Sequence, residues 1–130
     1  MGYDSRFYIV KSYRREHDSM GRWFEGKDKP MFFADKIAIF ELGKDYEVSD
    51  AINRTRPFTD LYVYADDGNT EIVEDDCGAP LREMTIDWLL PILELAEAKE
   101  HYRRRSVLIN LLKSFDKDEW GDLTVLHYGH

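Results

Sequence analysis

Apolar and polar positions alternate from Arg6 to Tyr13, with Phe7 and Ile9 on one side and Tyr8 and Val10 on the other. β-branched and aromatic residues dominate the stretch, which predicts a strand. Arg14 to Pro30 is polar and contains Gly21, Gly26 and Pro30, the pattern of a long surface loop anchored by Trp23 and Phe24. Met31 to Leu42 predicts a second strand, with Phe33, Ile37, Ile39 and Phe40 facing a core and Gly43 ending it. Lys44 to Asn53 reads as a short helical turn with Ser49 as its cap, and Pro57 marks a boundary. Leu61 to Ala65 and Thr70 to Glu74 are strands flanking Asp66-Asp67-Gly68-Asn69. Asp, Gly and Asn tolerate positive φ, so the whole unit predicts a β-hairpin over about 61–74. Cys77-Gly78-Ala79-Pro80 closes it.

The period then changes. Thr85 caps a helix that begins near Ile86, with Pro91 about one turn in. Ile86, Leu89, Leu90, Ile92, Leu93, Leu95 and Ala96 are apolar around much of that helix, and Val107, Leu108, Leu111, Leu112 and Phe115 form a second apolar face. No Gly or Pro separates the two, Glu100 is placed to pair with Arg104 at i+4, and three arginines would oppose the dipole of a new helix start. One long or kinked helix over about 86–115 is expected, with a helical hairpin as the alternative. Asp116 to Asp122 predicts a polar loop and Leu123 to Tyr128 a last strand. The expected architecture is a single α+β domain over 1–130, a small antiparallel sheet covered on one face by helices.

Composition narrows the function classes. The 130 residues fit one domain. A 14% aromatic share predicts a packed core, since disordered chains lack such residues. No apolar run approaches the roughly 20 residues that cross a bilayer, and Met1 to Tyr13 has no signal-peptide core. Gly2 is followed by Arg6 where a myristoylation pattern needs Ser or Thr. Cys77 is the single cysteine, so no internal disulfide forms. A cytoplasmic protein without membrane contact is the expectation. The formal net charge of −8 argues against direct nucleic-acid binding, which relies on Lys and Arg at phosphates.

That charge is unevenly placed. Residues 60–100 hold twelve acidic side chains against Arg82 and Lys99, whereas the flanking segments are each near neutrality. Asp66, Asp67, Glu71, Glu74, Asp75 and Asp76 place six carboxylates within eleven residues. On a rigid hairpin they would imitate the spaced charges of a nucleic-acid backbone and fill a basic groove on a partner. Their bland counterpart is a solvated turn whose charges prevent edge-to-edge association. The same oxygens suit a divalent cation, but their spacing departs from the calcium-loop pattern.

Other chemistry has less support. Cys77, His17, His101, His127 and His130 contain no pair at zinc-finger spacing. Glu74, Asp75 and Asp76 would raise the Cys77 thiol pKa and oppose a nucleophilic role. No nucleophile elbow, phosphate loop or dinucleotide motif is present, so no catalytic residue, metal or cofactor is expected. Arg103, Arg104 and Arg105 form the one basic cluster, but consecutive helical residues diverge by about 100° and do not share a face. Glu97 and Glu100 are their expected partners.

In size, acidity and lack of catalytic motifs the chain resembles small phage-encoded inhibitors of host defence, the anti-CRISPR proteins among them. The resemblance is one of composition over the whole chain, with no diagnostic motif and no residue carried over. It implies a non-catalytic module that binds a nuclease or another basic nucleic-acid-binding protein. A metal-dependent enzyme or metal-stabilised domain built on the hairpin carboxylates is the alternative. A structural subunit using helix 86–96 as an interface is a third.

Overall fold

The computed structural model describes residues 4–15, 31–59, 62–64, 71–72, 78–95 and 103–130, and of 13–15, 31–33, 62–64 and 71–72 the backbone alone. Strands β1 (Ser5–Arg15) and β2 (Met31–Gly43) lead to α1 (Tyr46–Thr55). The hairpin strands β3 (Tyr62–Tyr64) and β4 (Glu71–Ile72) follow. Then come β5 (Arg82–Thr85), α2 (Ile86–Glu94), α3 (Arg103–Lys113), α4 (Lys117–Trp120) and β6 (Thr124–Gly129). The strands form one sheet in the order β4-β3-β2-β1-β6-β5. The class is α+β.

The hairpin forms where the turn residues predict it, with Val63 opposite Ile72 and Tyr64 opposite Glu71. The sheet is not antiparallel throughout, because β3 runs parallel to β2. The reason lies in the connection. A tight turn can only reverse the chain, whereas α1 carries it back so that β3 starts in the direction of β2.

β2 is longer than its partner. Its register against β1 skips Ile37 and Leu42, two bulges that add twist. The coiling goes far. Phe58 bridges Arg82 on β5, with Thr59 donating its amide to Leu81 (2.9 Å) and Glu83 to Pro57 (3.0 Å). Only four residues later Tyr62 pairs with Phe33 on β2. Four residues span at most about 14 Å, whereas a flat sheet would hold the two positions five strand spacings apart, roughly 24 Å. The sheet therefore curls until Phe58 beside β5 and Tyr62 beside β2 lie within that reach.

One face of the sheet carries the main core, in which Phe7, Ile9, Met84 and Val125 meet Val48 and Ile52 of α1, Leu89 and Leu93 of α2, and Leu108 and Leu112 of α3. Trp120 of α4 packs against the same cluster. With helices on that face, the curl closes over the other. This accounts for Tyr8, Val10 and Leu126, which are buried on the face that has no helix.

Of the two readings of 86–115, one long or kinked helix or a helical hairpin, the described residues fit the hairpin. Lys113 Nζ lies 3.1 Å from Glu94 Oε1, positions that one straight helix would separate by about 28 Å. α2 and α3 are two helices packed side by side, and residues 96–102 lie outside the described residues. A 30-residue helix would extend about 45 Å, beyond the width of so small a domain, leaving one apolar face uncovered. Side by side, both faces reach the sheet. Leu89 and Leu93 of α2 are thereby buried in the fold, Ile86, Leu90 and Ile92 pack against the same core, and Leu95 remains 84% exposed at the end of the helix.

The caps follow local chemistry. Thr85 caps α2 as expected, accepting from the Trp88 amide at 3.0 Å. α1 is capped by Asp45, not Ser49, and Asp45 Oδ1 accepts from the Val48 amide at 3.3 Å. In the predicted polar loop 116–122, Asp116 caps the one-turn α4.

Candidate functional site

The hairpin that carries the predicted binding residues sits at the β4 end of the strand order. Glu71 belongs to β4 and pairs with Tyr64 through the backbone. Asp66, Asp67, Glu74, Asp75 and Asp76 lie outside the described residues, as do Trp23, Phe24, Cys77, His17 and His101. Tyr64 and Glu71, the described residues on either side of 65–70, are paired in the sheet.

Three ionisable residues that the sequence did not single out as a group meet on the helix-free face. Arg6 of β1 and Glu41 of β2 face one another in the ladder, and their side chains form an ion pair. His130 Nε2 lies 2.9 Å from the other carboxylate oxygen of Glu41. Partial burial pushes the Glu41 carboxyl up, but the hydrogen bonds from His130 and Arg6 outweigh it and hold the group below its usual range. A hydrogen bond with Tyr8, together with Glu41, holds the Arg6 guanidinium above its ordinary value against partial desolvation. Arg6 also lies over the Tyr128 ring, 5.3 Å from its centroid. The alternation on β1 carried the only signal, since it puts Arg6 on the face of Tyr8 and Val10.

The same period separates His127 from His130. Three apart on a strand, they point to opposite faces. His127 is buried against Phe7, 5.4 Å between ring centroids, with Nε2 2.9 Å from Ser5 Oγ. Both members of that pair are buried, Ser5 fully, so the geometry is that of a satisfied polar pair within the core. Among the described residues, no three His, Cys, Asp or Glu side chains gather as a metal ion would require.

The arginine run divides as its helical spacing requires. Arg105 points inward, 1% exposed, and forms a bidentate ion pair with buried Asp45, Nη2 to Oδ1 being 2.5 Å. The pair ties α3 to the start of α1, and Asp45 serves as both counter-ion and helix cap. Arg103 and Arg104 remain outside. With Phe40, Glu41 and Val107 they line a groove of about 440 Å³ between β2 and α3. The Arg104 guanidinium lies against Gly43, where an added Cβ would meet Nη1 at 2.9 Å.

A second cleft, of about 540 Å³, opens between α2, the end of α3 and the start of β6. Ile86, Leu90, Leu112, Phe115 and Leu123 give it apolar walls, and Asp87 and Lys117 on its lining form an ion pair of 2.8 Å. Its charged lining residues Lys113 and Lys117 are both engaged with carboxylates.

No protein-family model matches the chain, and neither the curated proteins nor the solved structures compared with it show significant similarity.

Proposed function

We propose that the chain is a non-catalytic protein-binding module that presents the acidic hairpin to a basic site on a partner. The partner class that fits is a nucleic-acid-binding protein, such as a CRISPR-associated nuclease, whose groove is built to receive phosphates. A carboxylate series imitates a phosphate series only if its spacing is held, because a floppy acidic tail loses conformational entropy on docking. What supports the reading is the pairing of Tyr64 with Glu71 and of Val63 with Ile72, the two strands between which Asp66 and Asp67 fall in sequence. The local excess of negative charge over residues 60–100 supplies the electrostatic complement.

The experiment is capture of partners from bacterial lysate at low and high salt. The native chain is compared with one in which Asp66, Asp67, Asp75 and Asp76 become Asn and Glu71 and Glu74 become Gln. A basic nucleic-acid enzyme retained by the native chain, released by salt and lost by the folded variant is the expected result. Equal retention by both proteins would rule the acidic hairpin out as the contact.

A further inference from the structure

We infer that the groove between the outer edge of β2 and α3 is a docking site for an extended acidic peptide segment of a partner protein, which adds to β2 as a further strand. The groove's lining arginines, Arg103 and Arg104, are opposite in charge to the hairpin carboxylates.

The first observation is a strand edge left open among the described residues. β1 covers one edge of β2 along its length, but β3 covers the other only at Phe33 and Ala34. No strand among the described residues pairs with the outer edge from Ala38 to Glu41. These four residues lie between the bulges at Ile37 and Leu42, so they form a regular stretch of ladder. Native proteins usually cover or break such an edge, because its bare N–H and C=O groups template pairing with another chain.

The second observation is the chemistry beside that edge. Arg103 and Arg104 are exposed and line the groove, and neither has an ion-pair or hydrogen-bond partner among the described residues. Glu41, the acidic residue of the lining, is already engaged by Arg6 and His130. Among the described residues the two guanidinium forks have no carboxylate partner, and a guanidinium fork matches a carboxylate in bidentate geometry. Val107, 56% exposed, and half-buried Phe40 add apolar contact between them.

Together these features select the occupant. A strand edge offers donors and acceptors in alternation. A peptide backbone answers both, whereas a phosphodiester backbone offers acceptors only. The arginines then require carboxylates on the incoming side chains, and Phe40 with Val107 favours apolar residues between them. Side chains at every second position of an added strand share the face toward α3, so Glu and Val at successive facing positions meet that demand, main-chain bonds giving affinity and side chains specificity.

The probe is a fluorescent, end-capped hexapeptide Glu-Ser-Val-Ser-Glu-Ser, which sets Glu, Val and Glu on one face of an added strand, titrated by anisotropy at low salt against the full chain. A counterpart with Lys for Glu and a copy of the acidic peptide N-methylated at alternate residues serve as controls. The acidic peptide is expected to bind, the basic and N-methylated ones not. Arg103→Glu combined with Arg104→Glu, and separately Val107→Glu, should each weaken it at least about tenfold, a loss of about 1.4 kcal/mol. All three residues are exposed, so circular dichroism should be unchanged. No saturable binding, equal binding by the arginine variant, or retained binding of the N-methylated peptide each overturns the proposal. So does self-association of the native chain that the arginine variant abolishes, since the occupant would then be a second copy. Partner capture by the hairpin is read separately and does not enter these titrations.

Discussion

The buried ion pair between Asp45 and Arg105 offers the sharpest quantitative test of the fold. Both residues are nearly inaccessible, so removing either one leaves a charge in the interior without its counter-ion. Breaking a buried pair from one side costs about 3–5 kcal/mol. Asp45→Ala also removes the cap that accepts from Val48, a further loss of about 1 kcal/mol. A total near 5 kcal/mol approaches the whole stability of many domains, typically about 5–15 kcal/mol. Asp45→Ser keeps a capping oxygen and isolates the charge effect. Arg105→Met keeps much of the apolar stem volume. The double variant with both changes buries no charge, and exchange of a buried pair for a packed apolar group is often close to neutral. Urea unfolding followed by helical circular dichroism gives the four free energies. The two single variants should each lose about 3–5 kcal/mol, while the double variant loses far less than their sum. The coupling energy should exceed about 2 kcal/mol. Additivity to within about 0.5 kcal/mol would refute the assignment, because independent sites add to that accuracy.

Two further outcomes follow from local geometry. Glu41 titrates below its ordinary value of 4.5 in the folded chain, so the stabilisation it provides is complete above that value and is lost as pH falls through the folded one. The stability gap between the native chain and Glu41→Gln should therefore be largest at neutral pH and close below about pH 4.5 in acid titrations of urea midpoints; a gap independent of pH would count against the pairing with Arg6 and His130. Thr85→Ala should cost about 1 kcal/mol in the same unfolding assay, and Thr85→Ser should restore most of it, since the hydroxyl that accepts from Trp88 is the stabilising group.

What the chain's pattern revealed, and what it concealed, divides along sequence distance. The hairpin was legible because its signal is local: Asp66-Asp67-Gly68-Asn69 between two alternating runs leaves the backbone little else to do. The Thr85 cap was legible for the same reason. The start of α1 was not, because Ser49 and Asp45 are both capping residue types. Asp45 gains a partner in Arg105, sixty positions on, which no window around residue 45 contains. β5 carries only Met84 as a buried residue, and it is a strand because β6 and Phe58 lie beside it. The divergence of three consecutive helical arginines was readable from the helix period, whereas the groove that Arg103 and Arg104 line needs Phe40 from a strand distant in sequence. Of the six carboxylates proposed to bind a partner, Glu71 is placed in β4 and the others lie outside the described residues.

The two proposed surfaces share one structural support, the outer edge of β2. Its start pairs with the hairpin at Phe33 and Ala34, and its later part flanks the arginine groove at Phe40. Ala34 and Phe40 are six residues apart, about 20 Å along an extended strand. β3 runs parallel to β2, so the hairpin strand leaves Ala34 in the direction of Phe40, and that distance sets no screening barrier between the two surfaces. The coupling between two ligands contains only their mutual interaction, since the repulsion between a basic partner and Arg103 or Arg104 is present whether or not a peptide occupies the groove. A basic partner on the hairpin and an acidic peptide in the groove attract one another, so each should bind more tightly in the presence of the other. The effect should grow as salt is lowered and the screening length lengthens from about 8 Å at physiological ionic strength to about 30 Å at about 0.01 M. Peptide anisotropy titrations with and without the partner check this; an affinity at low salt that is unchanged or weakened by the partner would refute the arrangement.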